Sequence, residues 1–198
     1  MNYPNGIKKR ENTQNHSSKP LSQTSYSNRG MSLEEDINET NQFYLESNMA
    51  IIHKKPTPIQ IVKVNYPKRS AAMITEAYFQ SKSTTDYNGL YRSKHIDFEV
   101  KETKNKTLFP LANIHDHQFE HMQSIVNHGG ICFIIIRFTR YNETYFMDSK
   151  IVLSYWKQML AGGRKSIPYH KFETDGFLIP LKYQARVDYL KIVDQLYF

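Results

Sequence analysis

Two carboxylates, a hydroxyl and an ammonium fall close together in this chain, within Ser83-Thr84-Thr85-Asp86-Tyr87 and Ile96-Asp97-Phe98-Glu99-Val100-Lys101-Glu102. If residues 95–103 form a strand, side-chain alternation puts Glu99 and Lys101 on one face and turns Phe98 and Val100 to the other, into a core. The same alternation aligns Thr84 with Asp86 on a neighbouring strand. Oxygen donors of this kind suit Mg²⁺, a hard cation that takes ligands at about 2.0–2.1 Å and usually keeps several waters. A cation so held can ionise a water and neutralise the charge that develops on an attacked phosphate. Lys101 would then orient the nucleophile or stabilise the phosphorane-like transition state. An acid followed at variable distance by Glu-x-Lys is by itself a permissive pattern, most often a solvated strand face. Here the acids stand between apolar positions inside the chain's most basic stretch, and that context favours chemistry.

The elements that must position these groups can be read from periodicity. Ser32 followed by Glu35 is a capping box, and Leu33, Ile37, Phe43 and Tyr44 carry a helical stripe to about residue 47. Strands are expected at 50–52, 59–64 and 73–79. Between the last two, Asn65-Tyr66-Pro67-Lys68-Arg69-Ser70 is turn-like and basic at its tip, which predicts a projecting hairpin over about 59–79. Strands at 83–91 and 95–103 meet near Asn88-Gly89 or Arg92-Ser93-Lys94. Asp116 to about Asn127 is a helix stopped by Gly129-Gly130, and Ile131–Phe138 is apolar almost throughout, as in a central strand covered on both faces. Residues 143–148 follow as its neighbour and Ser149–Leu160 as a further helix. Strands interleaved with helices give an α/β domain around a mixed sheet.

The 198 residues suffice for one compact domain with an appendage. Residues 1–28 hold five Asn, five Ser and two aliphatic side chains, Ile7 and Leu21. That is too little apolar surface to offset chain entropy, so a disordered basic arm is expected there, with an ordered domain over 29–198. The net charge of +7 is uneven: +4 over residues 1–30, −5 over 31–53, +6 over 54–106 and +2 over the remainder. The basic block from residue 54 is the part suited to following a polyanion. No apolar run reaches the roughly 18 residues of a bilayer span and the N-terminus lacks a signal-peptide core, so a soluble, cytoplasmic protein without membrane contact is expected. A single cysteine, Cys132, excludes an intrachain disulfide framework, and its apolar surroundings make it a buried thiol.

Five runs carry a resemblance: Arg29-Gly30-Met31-Ser32-Leu33-Glu34, Ile52-His53-Lys54-Lys55-Pro56-Thr57-Pro58, Thr84-Thr85-Asp86-Tyr87-Asn88-Gly89, Asp97-Phe98-Glu99-Val100-Lys101-Glu102-Thr103-Lys104 and His115-Asp116-His117-Gln118. They closely resemble the RecU family of Holliday-junction resolvases, from about residue 29 to the C-terminus, and Met1-Asn2-Tyr3-Pro4-Asn5-Gly6 resembles its opening. The resemblance implies a type II restriction-endonuclease-like fold and symmetrical nicking of four-way junction DNA by a Mg²⁺-dependent homodimer, with Mn²⁺ as a substitute ion. It implies metal contacts from Thr84, Asp86, Glu99 and Gln118, with Lys101 as transition-state stabiliser and Asp86, Glu99 and Lys101 as the catalytic set. Glu34 is a further candidate acid, although a carboxylate in a helix's first turn also faces the helix dipole. The family's protruding stalk, which enters the open centre of the junction, coincides with the expected hairpin. Tyr66, Lys68 and Arg69 become candidates for junction contact there, with Lys54 and Lys55 as DNA-binding cations beside it. Tyr78 and Phe79 are expected to pack rather than stack on bases, and Trp156 to lie in a core or dimer interface. The resemblance also implies roles in recombinational repair and chromosome segregation, strand annealing, and interaction with RecA and the RuvAB branch-migration machinery.

Two other motifs compete. His117-Gln118-Phe119-Glu120-His121 matches the inverted zinc-peptidase pattern H-x-x-E-H, but two of its five positions are free and no distant third ligand is evident. Its bland reading is a polar helix face close to DNA. Gly162-Gly163-Arg164-Lys165-Ser166 lacks the spacing of a phosphate loop and is a basic surface loop. Two further readings of the whole chain compete with resolution. One is a non-catalytic architectural DNA-binding protein in which Asp86, Glu99 and Lys101 are a structural ion cluster. The other is a restriction-type nuclease acting on linear duplex.

Overall fold

The computed structural model describes residues 32–79 and 84–198; the expected arm over 1–28 and the stretch 80–83 lie outside them. The first helix, α1 (Leu33–Glu46), is capped as predicted: Ser32 Oγ accepts from Glu35 N at 3.2 Å, and Glu35 Oε2 accepts from Ser32 N at 2.8 Å. There follow β1 (Ile51–Lys54), β2 (Ile59–Asn65), β3 (Met73–Phe79), β4 (Tyr87–Tyr91), β5 (Lys94–Thr103) and β6 (Leu108–Pro110). The chain continues through α2 (Asp116–Asn127), β7 (Ile131–Phe138), β8 (Glu143–Asp148), α3 (Ser149–Leu160), β9 (Ser166–Pro168), α4 (Tyr169–Asp175), β10 (Phe177–Leu178) and α5 (Leu190–Tyr197).

Six strands form the main sheet in the order β1-β4-β5-β7-β8-β10. The pairing is antiparallel except between β5 and β7, which run parallel with Phe98 opposite Phe133 and Glu99 opposite Ile134. Parallel neighbours need a crossover, and α2 supplies it. The mixed α/β architecture expected from the strand and helix pattern is the one observed. Alternation along the central strands then builds two apolar cores. Ile96, Phe98, Phe133 and Ile135 face α1, Tyr189 and α5; Cys132, Ile134 and Ile136 face Phe119 and Met122 of α2 and Val152 of α3. On the first face the rings of Tyr87, Phe98, Phe133 and Phe146 stack in succession across four strands, with centroids 5.0, 4.8 and 4.3 Å apart. Stacked aromatic neighbours of this kind fix strand register. Burial pushes the Cys132 thiol up to about 12, so it is a small apolar group as expected. No helix among the described residues is long and apolar enough to cross a membrane.

Two details bear on the sequence reading: one decides between its two candidate turns, and the other departs from it. The turn joining β4 to β5 is Arg92-Ser93, both at positive φ (46° and 64°), whereas Asn88-Gly89 lies inside β4. Gly89 answers to close approach rather than to a turn: a Cβ there would sit 2.0 Å from the carbonyl oxygen of Ile51 on β1. The departure concerns the hairpin. It forms as predicted, β2 against β3 with a 3₁₀ turn at Arg69–Ala71 beyond its tip, but Tyr78 and Phe79 do not pack. Phe79 is 80% exposed, and every residue of both strands is exposed. The reason is topological: the two strands make a separate sheet, and neither of its faces is covered by the described residues.

Candidate active site

The antiparallel register of β4 and β5 pairs Tyr87 with Phe98, so one residue further on Asp86 comes opposite Glu99. Each then holds the other through the backbone. The Asp86 amide donates to Glu99 Oε2 at 3.1 Å, and the Val100 amide donates to Asp86 Oδ2 at 3.1 Å. Because Phe98 occupies the α1 face, Glu99 and Lys101 must emerge under α2. There the Lys101 ammonium pairs with Glu99 Oε1, and Gln118 Nε2 of α2 donates to the same oxygen at 2.8 Å. The Gln118 amide oxygen is engaged by the His115 amide at 3.0 Å, which closes the first turn of α2.

Glu99 is 0% exposed. Burial, followed by the neighbouring Asp86 charge, pushes its carboxyl up to about 7 despite the opposing pull of Lys101. A fully buried carboxylate beside a second carboxylate and balanced by one ammonium has surplus negative charge, which a cation between the two acids would relieve. Among the described residues no three His, Cys, Asp or Glu side chains converge into a metal cage. The donor set that does converge is two carboxylates, with Thr84 lining the same cleft as Asp86. That fits a hard divalent ion which keeps part of its water shell, and does not fit zinc.

The structure places the remaining predicted residues as follows. Thr84 lies just before β4 and is exposed, with its hydroxyl 3.1 Å from Lys55 Nζ. Glu34, near the start of α1, pairs with Lys54 at the end of β1, and both are about half exposed. Glu34, Lys54, Lys55, Thr84 and Asp86 line one cleft of about 430 Å³, which the Pro56-Thr57-Pro58 segment leading to the hairpin also borders. Lys55 is drawn inward: its side chain is 17% exposed and its ammonium is 2.7 Å from Asp97 Oδ2. Tyr66 and Lys68 are exposed at the end of the hairpin, and Arg69 opens the 3₁₀ turn there. The sites therefore separate into a tight cluster (Asp86, Glu99, Lys101, Gln118, with Thr84 and Lys55 beside it), a rim pair (Glu34, Lys54) and a distal tip.

Asp97 is the residue that sequence reasoning left without a role. Strand alternation places it on the face of Glu99 and Lys101, and that was the available signal. It is 1% exposed, accepts from the Thr85 hydroxyl and Lys55 Nζ, and lies 3.2 Å from His121 Nε2. Burial alone would raise its carboxyl, but the hydrogen bonds from His121, Lys55 and Thr85 outweigh burial and hold it below the ordinary range. The same contacts dispose of the zinc-peptidase motif: His121 faces Asp97 and an ammonium 3.5 Å away, an arrangement that repels a dication. Trp156 is half-buried and stacks on Phe119 at 5.1 Å, inside the core on the α2 face.

The comparisons with known proteins agree in direction. The family model described as "RecU: Recombination protein U" matches residues 28–195. A Holliday junction resolvase RecU of Oceanobacillus iheyensis is 62% identical over 198 residues, covering all of both chains. One of Geobacillus kaustophilus is 57% identical, covering all of this chain and 98% of that one. Among solved structures, Hjc, a Holliday junction resolvase of Archaeoglobus fulgidus, overlaps 59% of this chain and 78% of its own at 10% identity and a TM-score of 0.36, a likeness too slight to carry weight.

Proposed function

The chain belongs to the RecU family, and on that premise we propose that it is a structure-specific endonuclease that resolves Holliday junctions in homologous recombination and DNA repair. The observation that carries the chemistry is the meeting of Asp86 and Glu99 in a niche where Glu99 has lost its water and is pushed up to about 7. Asp86 and Glu99 would hold the divalent ion, Mg²⁺ or Mn²⁺, with Thr84 and Gln118 assisting. When bound, that ion supplies an ionised water and a counter-charge for the attacked phosphate. The chain's own residues do the rest. Lys101 faces the phosphate that reacts and stabilises charge on its non-bridging oxygens. Gln118 holds the Glu99 carboxylate in place through Nε2. The cleft that Lys54 and Lys55 border admits the strand, and Tyr66, Lys68 and Arg69 at the hairpin tip engage the junction centre.

Paired nicks on a two-fold junction call for two identical sites related by a two-fold axis, which supports a homodimer as the working form. Strand annealing, a part in chromosome segregation and contacts with RecA and the RuvAB machinery are carried by family membership alone. The deciding assay is a labelled synthetic four-way junction incubated with and without Mg²⁺ and scored for paired, symmetrically placed nicks. Wild-type protein is expected to produce them and Asp86→Ala to bind without cutting. Binding with no nicks across a series of divalent ions would sink the nuclease reading in favour of an architectural protein. Equal cleavage of a linear duplex would replace resolution by restriction-type activity.

A further inference from the structure

Behind the two metal-facing acids lies a second ionic cluster that the chemistry above does not use. Lys55 carries three N–H bonds on its ammonium, and three oxygens take them: Asp97 Oδ2 at 2.7 Å, Thr85 Oγ1 at 2.9 Å and Thr84 Oγ1 at 3.1 Å. Asp97 is committed on both oxygens, to Thr85 through Oδ1 and to Lys55 and His121 through Oδ2. The backbone closes the loop, since the Lys55 amide donates to the Asp86 carbonyl at 2.8 Å. Residues 84–86 precede β4 and lie outside the strands of the described residues. Their position is set from two directions: Glu99 and Val100 on one side, Lys55 with Asp97 on the other.

We propose that Asp97 is a positioning residue, which draws the Lys55 ammonium inward to brace Thr84, Thr85 and the Asp86 backbone and so sets where Asp86 stands relative to Glu99. This gives Lys55 a role inside the site besides its place on the wall of the cleft, and it gives the His121 of the H-x-x-E-H motif a place as a neighbour of the brace. The energetic logic is that of outer groups around a metal site, which orient the ligands and whose loss typically lowers metal affinity or activity by about 10–100-fold. The brace is neutral as a pair, so deleting both charges leaves the net charge at the site unchanged and limits the electrostatic part of any change in metal affinity to the loss of one short ion-pair dipole.

The test rests on the metal-dependent reading above and is built to fail separately from it. Asp97→Asn alone leaves a buried ammonium without its counter-charge and is expected to destabilise the fold. The informative protein is therefore the double variant Lys55→Met with Asp97→Asn, whose folding is checked by circular dichroism and thermal melting. Mn²⁺ binding is measured directly by electron paramagnetic resonance, without DNA, and junction cleavage is measured beside it. The expected result is a folded double variant whose Mn²⁺ dissociation constant rises by about 10–100-fold, with cleavage at subsaturating metal falling in step and recovering part of the loss at high metal. A purely structural ion pair predicts that the neutral replacement restores wild-type metal affinity, and that outcome would overturn the proposal. If the wild-type protein itself neither binds Mn²⁺ nor cuts the junction, the nuclease reading fails instead.

Discussion

Replacing Glu99 by Gln should remove metal-dependent cleavage and at the same time make the metal-free protein harder to unfold at alkaline pH. The carboxyl of Glu99 rises from its ordinary 4.5 to about 7 in the folded chain, first through burial and then through Asp86. The native state therefore keeps this proton to a higher pH than the unfolded chain does. Stability from the group is complete below about 4.5 and drains away as pH climbs to about 7, above which the full cost is present. With each pH unit worth about 1.4 kcal/mol, that cost is at most about 3–4 kcal/mol. A neutral amide escapes it but cannot accept the Asp86 amide on its nitrogen side, which returns part of the gain. The net expectation at pH 8 in chelator is a gain of roughly 1–2 kcal/mol, or a melting temperature higher by about 2–8 °C for a domain of this size. The assay is paired thermal melts of wild-type and Glu99→Gln protein from pH 5 to 8.5 in EDTA, repeated in Mg²⁺. The difference between the two proteins should open between pH 5 and 7, and Mg²⁺ should raise the wild-type melt only. If Glu99→Gln melts no higher than wild type at pH 8, or the gap does not vary with pH, the claim that Glu99 is a strained, desolvated acid is wrong.

Three other outcomes are expected. Lys101→Met should lower the cleavage rate at saturating metal by about 10²–10³-fold, as for loss of one transition-state donor, while junction affinity in Ca²⁺ changes by less than about threefold; a gel assay separates the two. Lys68→Ala should reduce the slope of log affinity against log salt by about 0.9, one phosphate contact's worth, and an unchanged slope would remove the hairpin tip from the binding surface. On the face away from the active site, Arg137 of β7 pairs with Asp36 of α1 at 2.6 Å, and both side chains are buried. Asp36 also accepts from Arg186. Arg137→Met should therefore cost about 3–5 kcal/mol in urea unfolding, because it leaves a buried carboxylate short of a partner; a loss below about 1 kcal/mol would show the network to be well hydrated.

The sequence was most legible where period and length agreed. The apolar run of β7, the helices α2 and α3 and the capped start of α1 appear where periodicity put them, because each buries a whole face against a neighbour. The acids and Lys101 were also legible, since alternation in β5 follows directly from Phe98 and Val100 being apolar. Other features were set by contacts between distant segments. β6, β9 and β10 are two or three residues long and show no period. Asn88-Gly89 and Arg92-Ser93-Lys94 were equal candidates for one turn, and only the fold shows that Gly89 serves the approach of β1 instead. Tyr78 and Phe79 looked like core and are exposed, because apolar composition does not say whether a strand finds a partner for its faces. Lys55 looked like surface charge, and only the fold discloses that Asp97 lies in reach of it.

The two-residue turn at Arg92-Ser93 has a consequence for the order in which the molecule assembles. Asp86 and Glu99 are brought together by a local hairpin, and such hairpins close within about 1–10 μs. The niche around Glu99 is completed by Gln118 of α2, within the crossover to the parallel partner strand, and contacts of that sequence separation form later than the hairpin's own. During synthesis the acidic pair therefore exists before its dehydration does. A partly folded chain would carry the two carboxylates in water, and nuclease competence would await the docking of α2 over Glu99, which ties it to the finished fold.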